Sequence, residues 1–380
     1  MQTTTVLVPL AAPGSEHEAE PMPRAEVDVS VALCTWNGAR WVGAFLASLA
    51  EQELLPDELV VSDDASTDDT VPLIEEFART APFPVRLEVN AERVGSTANF
   101  AKVLSRCRGR FIALADQDDL WYPQKLRRLS EELHADATIT MVFSDADLID
   151  AATRPIGRTL WDTRMVGRTL RRHPVVPELL FARRPLTTGC TMMVRRRAAE
   201  AALPFPQVLD DPVTPMRHDR WLSIVSAAVG TVRALPEPLV RFRVHADQET
   251  GVLVGRRLAT AIGRAGARIA VDRGPAHSRS LRTRADQLRC AAERAYLLGD
   301  FGEAKVLRQV AEGLDLRASV DEPGHGHAKA LYRAIRSGTY PLDLLSAGAL
   351  AADIVRAAGR TISSSATPGA AHGDAMDAAR

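Results

Sequence analysis

Three carboxylates stand within four positions of this chain: Asp116, Asp118 and Asp119, in the run Ala113-Leu-Ala-Asp-Gln-Asp-Asp-Leu-Trp121. Crowded in this way they repel one another, and a divalent cation is the usual remedy. Hard carboxylate oxygens suit Mg²⁺ or Mn²⁺, which then bridge to phosphate oxygens. The bland alternative is a solvated acidic turn that caps a helix. Phe111 to Ala115 is an apolar run of the kind that forms a strand buried on both faces. Pro123 suits the first turn of a helix over Gln124 to Leu133, and Leu126, Leu129 and Leu133 form its apolar stripe. The acids therefore fall between the carboxyl end of a buried strand and a helix, where open α/β sheets bind ligands.

The elements before this point deliver further polar groups to the same edge. Residues 1 to about 25 mix Thr, Pro, Ala and Glu without periodicity and are expected to be a disordered leader. Val27 to Thr35 is a strand dense in β-branched residues; it ends in the turn Trp36-Asn37-Gly38. Trp41, Phe45, Leu46 and Leu49 then mark one face of a helix. Glu58 to Ser62 is a second strand, closing in Asp63-Asp64-Ala-Ser-Thr-Asp68, with Ser66 or Thr67 the expected cap of a helix that begins near Asp69. Val85 to Asn90 is a third strand, Thr97 to Cys107 a third helix, and the acid-bearing strand is the fourth. This alternation predicts an α/β fold, a mostly parallel sheet flanked by helices on both faces.

No Gly-x-Gly-x-x-Gly follows the first strand, which argues against a dehydrogenase-type dinucleotide site. Instead Thr35 and Asn37, Asp63 and Asp64, Asn90 and Gly95, and Asp116 and Asp118 converge on one sheet edge, a pocket suited to a nucleotide. A carboxylate at the second strand end can accept the ring N3–H of a uracil or thymine, a charge-assisted bond of roughly 1.5–3 kcal/mol. Asp64 is the residue expected in that role, and Asp63 is expected to cap a helix.

Four segments in order, Val29 to Asn37, Val60 to Thr70, Asn90 to Asn99 and Ala113 to Trp121, resemble the opening motifs of the family 2 glycosyltransferases. The resemblance covers about residues 27 to 250. It implies the GT-A nucleotide-diphospho-sugar transferase fold, a divalent metal (Mg²⁺ or Mn²⁺) and inversion of the anomeric centre. The form Asp-Gln-Asp-Asp-Leu-Trp is similar to bacterial rhamnosyltransferase-like members that build cell-surface polysaccharide on a saccharide or lipid-linked acceptor. Where the family often has Pro and Tyr, this chain has Cys34 and Trp36. The resemblance places the nucleotide sugar on Thr35, Asn37, Asp64, Asn99, Asp116 and Gly189, with the base near Asp64 and the ribose near Asp116, and the metal on Asp118.

Thr140 to Ser144 is a further strand leading to Asp145 and Asp147, and the Arg-rich stretch 151 to 185 is expected as a loop-and-helix excursion over the site. Leu186 to Arg195 is expected as a strand in which Gly189 permits a close approach. Met216-Arg-His-Asp-Arg-Trp-Leu222 heads an apolar helix. The family's acceptor-deprotonating acid matches Asp219, although an acid at a helix start can also serve as a cap. His218 is read as shaping the pocket. Pro238 to Val244 is a last edge strand, and His245 follows it where GT-A enzymes commonly add a histidine to the metal or the diphosphate; Gln248 can keep an amide role nearby.

The 380 residues, 46% hydrophobic and 25% charged, suffice for one sizeable domain, residues 26–250, and an appendage. A net charge of −1 gives no case for nucleic acid. Four cysteines without metal-ligand spacing and no basic signal-peptide start fit a cytoplasmic protein. Residues 252 to 360 hold 18 Lys and Arg against 11 Asp and Glu, so the helical region 251–360 is basic. Leu258, Ile262 and Ile269 share a face ringed by Arg256, Arg257, Arg264 and Arg268, and such a helix can lie on an anionic membrane or pack on its own domain. Leu342 to Ala358 is interrupted by charges and is not a membrane span, and residues 361–380 are expected to be a disordered tail. Two rival functions remain: a phosphohydrolase using Asp116 as nucleophile, disfavoured by Leu120 and by three preceding βα units, and a nucleotide-sugar-binding subunit without catalysis.

Overall fold

A computed structural model of the chain describes residues 5–7, 28–163, 167–172, 175–176, 181, 186–212, 214–246, 248 and 275–320. The first half runs β1 (Thr5–Leu7), β2 (Val29–Thr35), α1 (Val42–Ala50), β3 (Glu58–Asp63), α2 (Thr70–Ala78), β4 (Val85–Val89), α3 (Ser96–Arg106) and β5 (Phe111–Asp116). β2 and β3 are buried along almost their whole length, as expected of strands covered on both faces. In α1 the buried residues Val42, Phe45, Leu46 and Leu49 recur at helical spacing, so one stripe of the helix faces the sheet.

The strand order is β4-β3-β2-β5, with β2 paired in parallel to both β3 and β5. After walking outward through β3 and β4, the chain crosses back to the other side of β2. That reversal opens a crevice at the carboxyl ends of β2 and β5, the place where open α/β sheets take ligands. Register fixes what lies there: Thr35 is opposite Asp63, and Cys34 is opposite Asp116.

The second half runs β6 (Leu120–Trp121), α4 (Lys125–Ala135), β7 (Ile139–Asp150), β8 (Pro155–Thr159), α5 (Gly167–Arg172), β9 (Met192–Arg195), α6 (Arg196–Ala202), α7 (His218–Ala228), β10 (Thr231–Val244), α8 (Pro275–Leu297) and α9 (Phe301–Val320). β9 runs antiparallel between β5 and β7, and β10 pairs in parallel with β7 and antiparallel with β6. The sheet is therefore mixed, parallel at its centre and extended by antiparallel strands. The chain divides into two compact units, one of residues 1–260 and 287–308, which holds the sheet, and one of residues 261–286 and 309–380. No helix among the described residues is long and apolar enough to cross a membrane.

Several sequence expectations change at this level. Thr5–Leu7 of the expected leader is a strand, antiparallel to β4; the rest of 1–25 lies outside the described residues. Ser66 and Thr67 do not cap α2, which starts at Thr70 behind Asp69 without a side-chain cap. They bond across to Asn37 instead. Leu186 to Arg195 is not one strand: Gly189–Thr191 is a 3₁₀ turn, and only Met192–Arg195 pairs. β7 continues through Asp145 and Asp147 to Asp150, because β10 pairs with it over that length. β10 begins at Thr231 rather than Pro238, and its outer side is covered at Val240 and Arg241 by β6. The basic helix over 256–269, the segment 342–358 and the tail 361–380 lie outside the described residues.

Candidate active site

Asp63, whose side chain is buried, staples two strand ends together. Its Oδ2 accepts hydrogen bonds from Thr35 Oγ1 and Ser66 Oγ, each 2.7 Å, and its Oδ1 accepts Ser66 N at 2.7 Å. Its role is to hold the β2 and β3 loops in register, not to cap α2. Asn37 takes a left-handed conformation, φ 44°, which asparagine tolerates better than most residues. Its Oδ1 accepts Thr67 N at 2.9 Å.

Asp64 is equally buried, and its carboxylate organises the β4–α3 loop. Oδ1 accepts Asn90 Nδ2 at 3.0 Å and Val94 N at 2.8 Å, and Oδ2 accepts Gly95 N at 2.9 Å. With about four lone-pair sites on a carboxylate, one on Oδ2 makes no hydrogen bond among the described residues, and the Arg93 Nε stands 4.0 Å from that oxygen. Asn99 is a strut beneath this region. Its Oδ1 accepts Ser62 Oγ at 2.6 Å and Asn90 Nδ2 at 2.9 Å, and its Nδ2 donates to Ser62 O at 2.7 Å.

The acidic loop is bolted down from both sides. Gln117, between the two acids, clamps the Trp36 peptide by accepting Trp36 N at 3.0 Å and donating to Trp36 O at 2.9 Å. A Cβ on Gly38 would meet Gln117 Oε1 at 2.0 Å, so a side chain there would push Gln117 out of this clamp. The Trp36 ring is 40% exposed, and the Arg93 guanidinium carbon sits 3.4 Å from its centroid. On the other side, Asp118 Oδ2 is 2.8 Å from His245 Nε2, and Asp118 Oδ1 makes no hydrogen bond among the described residues. Asp119 is buried under the loop, where its Oδ1 accepts Arg243 N at 2.8 Å. Burial first, then the charges of Asp118 and Asp116, raise the Asp119 carboxyl well above the usual carboxylate range.

Lys125 is completely buried, donates to Cys190 O at 2.6 Å and lies 3.2 Å over the Trp121 ring. It ties α4 to the turn that carries Gly189. Burial pushes its ammonium down to about 7, against the pull of Cys190, Asp119 and Asp116. An unfolded lysine titrates near 10.4, so between about 7 and about 10 the unfolded chain holds a proton that the folded chain does not, and stability rises with pH. Lys125→Met removes that dependence. Urea unfolding should show the parent gaining about 2 kcal/mol on the variant from pH 7 to pH 9. A gap that stays flat over this range contradicts a neutral, desolvated amine.

Gly189 lines the pocket for a reason the sequence did not state. A Cβ there would stand 2.8 Å from His218 Nε2, and the His218 ring is itself stacked on Phe100 at 3.6 Å. The close approach is thus made by a neighbouring side chain. Gly189→Ala is expected to lower stability by about 1–3 kcal/mol as an overpacked site. A thermal melt matching the parent's contradicts this packing. Asp219, in the first turn of α7 and half-buried, accepts Arg220 N on Oδ1 at 2.7 Å, whereas its Oδ2 makes no hydrogen bond among the described residues. One oxygen serves the helix start and the other is available for chemistry.

The nine residues assigned to donor, metal and catalysis, Thr35, Asn37, Asp64, Asn99, Asp116, Asp118, Gly189, Asp219 and His245, line a single cavity of about 610 Å³, whereas Asp63, Asn90 and Gly95 do not line it. Trp36, Arg40, Arg93, Arg217 and Gln248 line it too, which places three guanidinium groups beside the acids. A second acidic grouping exists, since ligand atoms of Asp116, Asp119 and Cys190 lie within 4.8 Å of one another. Asp119 and Cys190 are buried and do not line the cavity, so of this grouping only Asp116 faces it. Asp118 and His245 do line it. A carboxylate oxygen and an imidazole nitrogen 2.8 Å apart at the cavity wall are donors of a kind that fits Mn²⁺ or Mg²⁺.

Residues 30–202 match the family model of glycosyl transferase family 2. An uncharacterized protein of Mycobacterium tuberculosis is 30% identical over 222 residues, 57% of this chain and 59% of that protein, so the chain spans less than two thirds of this relative. The UDP-Glc:alpha-D-GlcNAc-diphosphoundecaprenol beta-1,3-glucosyltransferase WfgD of Escherichia coli is 32% identical over 197 residues, 52% of this chain and 69% of the enzyme. The crystal structure of S. aureus TarS 1-349 in complex with UDP aligns with a TM-score of 0.51 at 15% identity, covering 89% of this chain and 91% of that one. The shared architecture is the GT-A fold. With its motifs, strand order and cavity all in agreement, the chain belongs to glycosyl transferase family 2.

Proposed function

We propose that the protein is an inverting glycosyltransferase that moves a sugar from a nucleoside diphosphate donor to a hydroxyl of a saccharide or lipid-linked acceptor, in the synthesis of cell-surface polysaccharide. The observation that carries this reading is the convergence of a base-side carboxylate (Asp64), strand-end acids (Asp116, Asp118) and a helix-start acid with a free oxygen (Asp219) on one cavity at the β2/β5 crevice. The donor's base lies toward Asp64 and Trp36, and its ribose toward Asp116. Asp118 and His245 would hold Mg²⁺ or Mn²⁺, which when bound supplies charge to offset the diphosphate.

Asp219 Oδ2 accepts the proton of the acceptor hydroxyl as that oxygen attacks the anomeric carbon. A new carbon–oxygen bond forms on the face opposite the diphosphate, the old one breaks, and its electron pair leaves on the diphosphate. Arg40, Arg93 and Arg217 line the cavity where that charge can be met. The similarity of the acidic motif to rhamnosyltransferase-like proteins makes rhamnose the first donor sugar to try, and the pyrimidine preference rests on the one acceptor position left on Asp64. The E. coli relative's diphosphoundecaprenol-linked acceptor supports an acceptor of the same class, and we place the enzyme in the cytoplasm at the membrane surface.

Calorimetric titration with UDP, dTDP and GDP, each with and without Mn²⁺, tests the binding half of this reading. Pyrimidine nucleotides should bind, more tightly with the metal. No binding of any nucleotide under either condition contradicts it.

A further inference from the structure

Arg243 is an arginine 1% exposed in the last turn of a sheet strand, two residues before His245. It does not line the cavity. A buried guanidinium is expensive unless its donors are satisfied. Here they are spent in two directions: Nε donates to Asp118 O at 2.7 Å, while Nη1 donates to Thr153 Oγ1 at 2.8 Å and to Asp150 O at 3.2 Å. Its backbone N–H goes to Asp119 Oδ1 at 2.8 Å. Its carbonyl accepts Gln248 Nε2, and Gln248 Oε1 in turn accepts His245 N at 3.3 Å. The guanidinium also lies 4.4 Å over the Trp41 ring, which neighbours the His245 ring at 5.5 Å and the Arg40 guanidinium at 4.2 Å.

We infer that Arg243 is a positioning residue that sets the direction of both Asp118 and His245, bracing the acidic loop against the β7–β8 hairpin. The inference rests on the proposed use of that pair as cation ligands. Two features support a built brace. Thr153 is a β-branched residue at φ 66°, a strained conformation that persists only where its surroundings impose it. Its backbone N–H bonds to Asp150 O at 2.9 Å, and Asp150 Oδ1 accepts Ala152 N and Arg154 N, each at 2.9 Å, so the hairpin tip is held with Thr153 Oγ1 toward Arg243. The strand pairing makes the same connection, since β6, which leaves the acidic loop directly, is in register with Val240 and Arg241 of β10. Only an arginine has a rigid fork that reaches a carbonyl on one side and a hydroxyl on the other.

The test uses the full chain with Mn²⁺ alone as the probe. Outer-shell partners of metal ligands typically carry 10- to 100-fold of metal affinity, and Arg243→Lys, which keeps the charge and loses the fork, is expected to weaken Mn²⁺ binding by about that factor. Thr153→Ala should weaken it less but in the same direction, with the melting temperature near the parent's; it decides the matter if Arg243→Lys does not fold. In turnover, both variants should need more Mn²⁺ for half-maximal rate and recover much of the rate when it is saturating. A purely structural arginine would instead lower the melting temperature and leave the Mn²⁺ requirement alone. Folded variants that bind Mn²⁺ as tightly as the parent overturn the inference. A parent that binds UDP but no Mn²⁺ overturns the metal pair itself, and the brace with it, which is a different result from equal affinities.

Discussion

Asp118→Asn is expected to lower metal-stimulated turnover by about 10²–10³-fold, taking the charge stabilisation from a bound cation as several kcal/mol and each 1.36 kcal/mol as tenfold. The asparagine can still meet His245, but it offers a neutral amide where a hard anionic oxygen is needed. Folding should not suffer. Asp118 stands among Asp116 and Asp119, and removing one of three crowded charges relieves repulsion, so the melting temperature is expected to stay level or rise. The measurement is initial rate against Mn²⁺ concentration, alongside a thermal melt. Parent-like stimulation by Mn²⁺ in a folded Asp118→Asn protein would move the cation elsewhere, the Asp116, Asp119 and Cys190 grouping being the next place to look.

Asp219→Asn carries the second large effect. A positioned general base contributes about 10²–10⁴-fold to rate. The variant can still accept Arg220 N through its amide oxygen, so the start of α7 stays supported. What it loses is the ability to take the acceptor's proton. The loss should therefore fall on turnover, while the affinity for a nucleoside diphosphate with Mn²⁺ changes little, because the donor lies toward Asp64, Asp116 and Asp118. A variant that melts early yet turns over at close to the parent rate per folded molecule would make Asp219 a helix-start residue only.

The parts of the fold legible in the sequence were those with a strong local period. The βα alternation through Asp116 and the stripe Phe45, Leu46 and Leu49 depend on apolar spacing, and the strands and helices stand close to where that spacing put them. Residues at strand ends were legible as well, because a parallel sheet brings its carboxyl ends to one edge, and Thr35, Asp64, Asp116 and Asp118 meet there. What stayed hidden were long-range partners. Nothing near Arg243 in sequence shows that its guanidinium meets Asp118 and Thr153, because those contacts span 125 and 90 residues. Lys125 reads as an ordinary polar residue at a helix start, and only the 65-residue reach to Cys190 O shows it buried. Gln117 stands between two acids in the sequence, yet its side chain holds the Trp36 peptide. The Leu186 to Arg195 misreading has a similar cause: β-branched and apolar residues suggested a strand, but the His218 ring stands where Gly189 passes and the segment turns before it pairs.

Glycosyl transfer at the β2/β5 crevice is expected to show as release of nucleoside diphosphate. The intact protein would be incubated with a panel of UDP-, dTDP- and GDP-sugars, dTDP-rhamnose among them, with Mg²⁺, with Mn²⁺ and with chelator, and with and without saccharide and polyprenyl-diphosphate-linked saccharide acceptors. The expected result is release from at least one pyrimidine nucleotide sugar that depends on metal, rises with acceptor and disappears in both Asp118→Asn and Asp219→Asn. Tight binding of the same donors with no release under any of these conditions would contradict catalysis and leave a nucleotide-sugar-binding protein in its place.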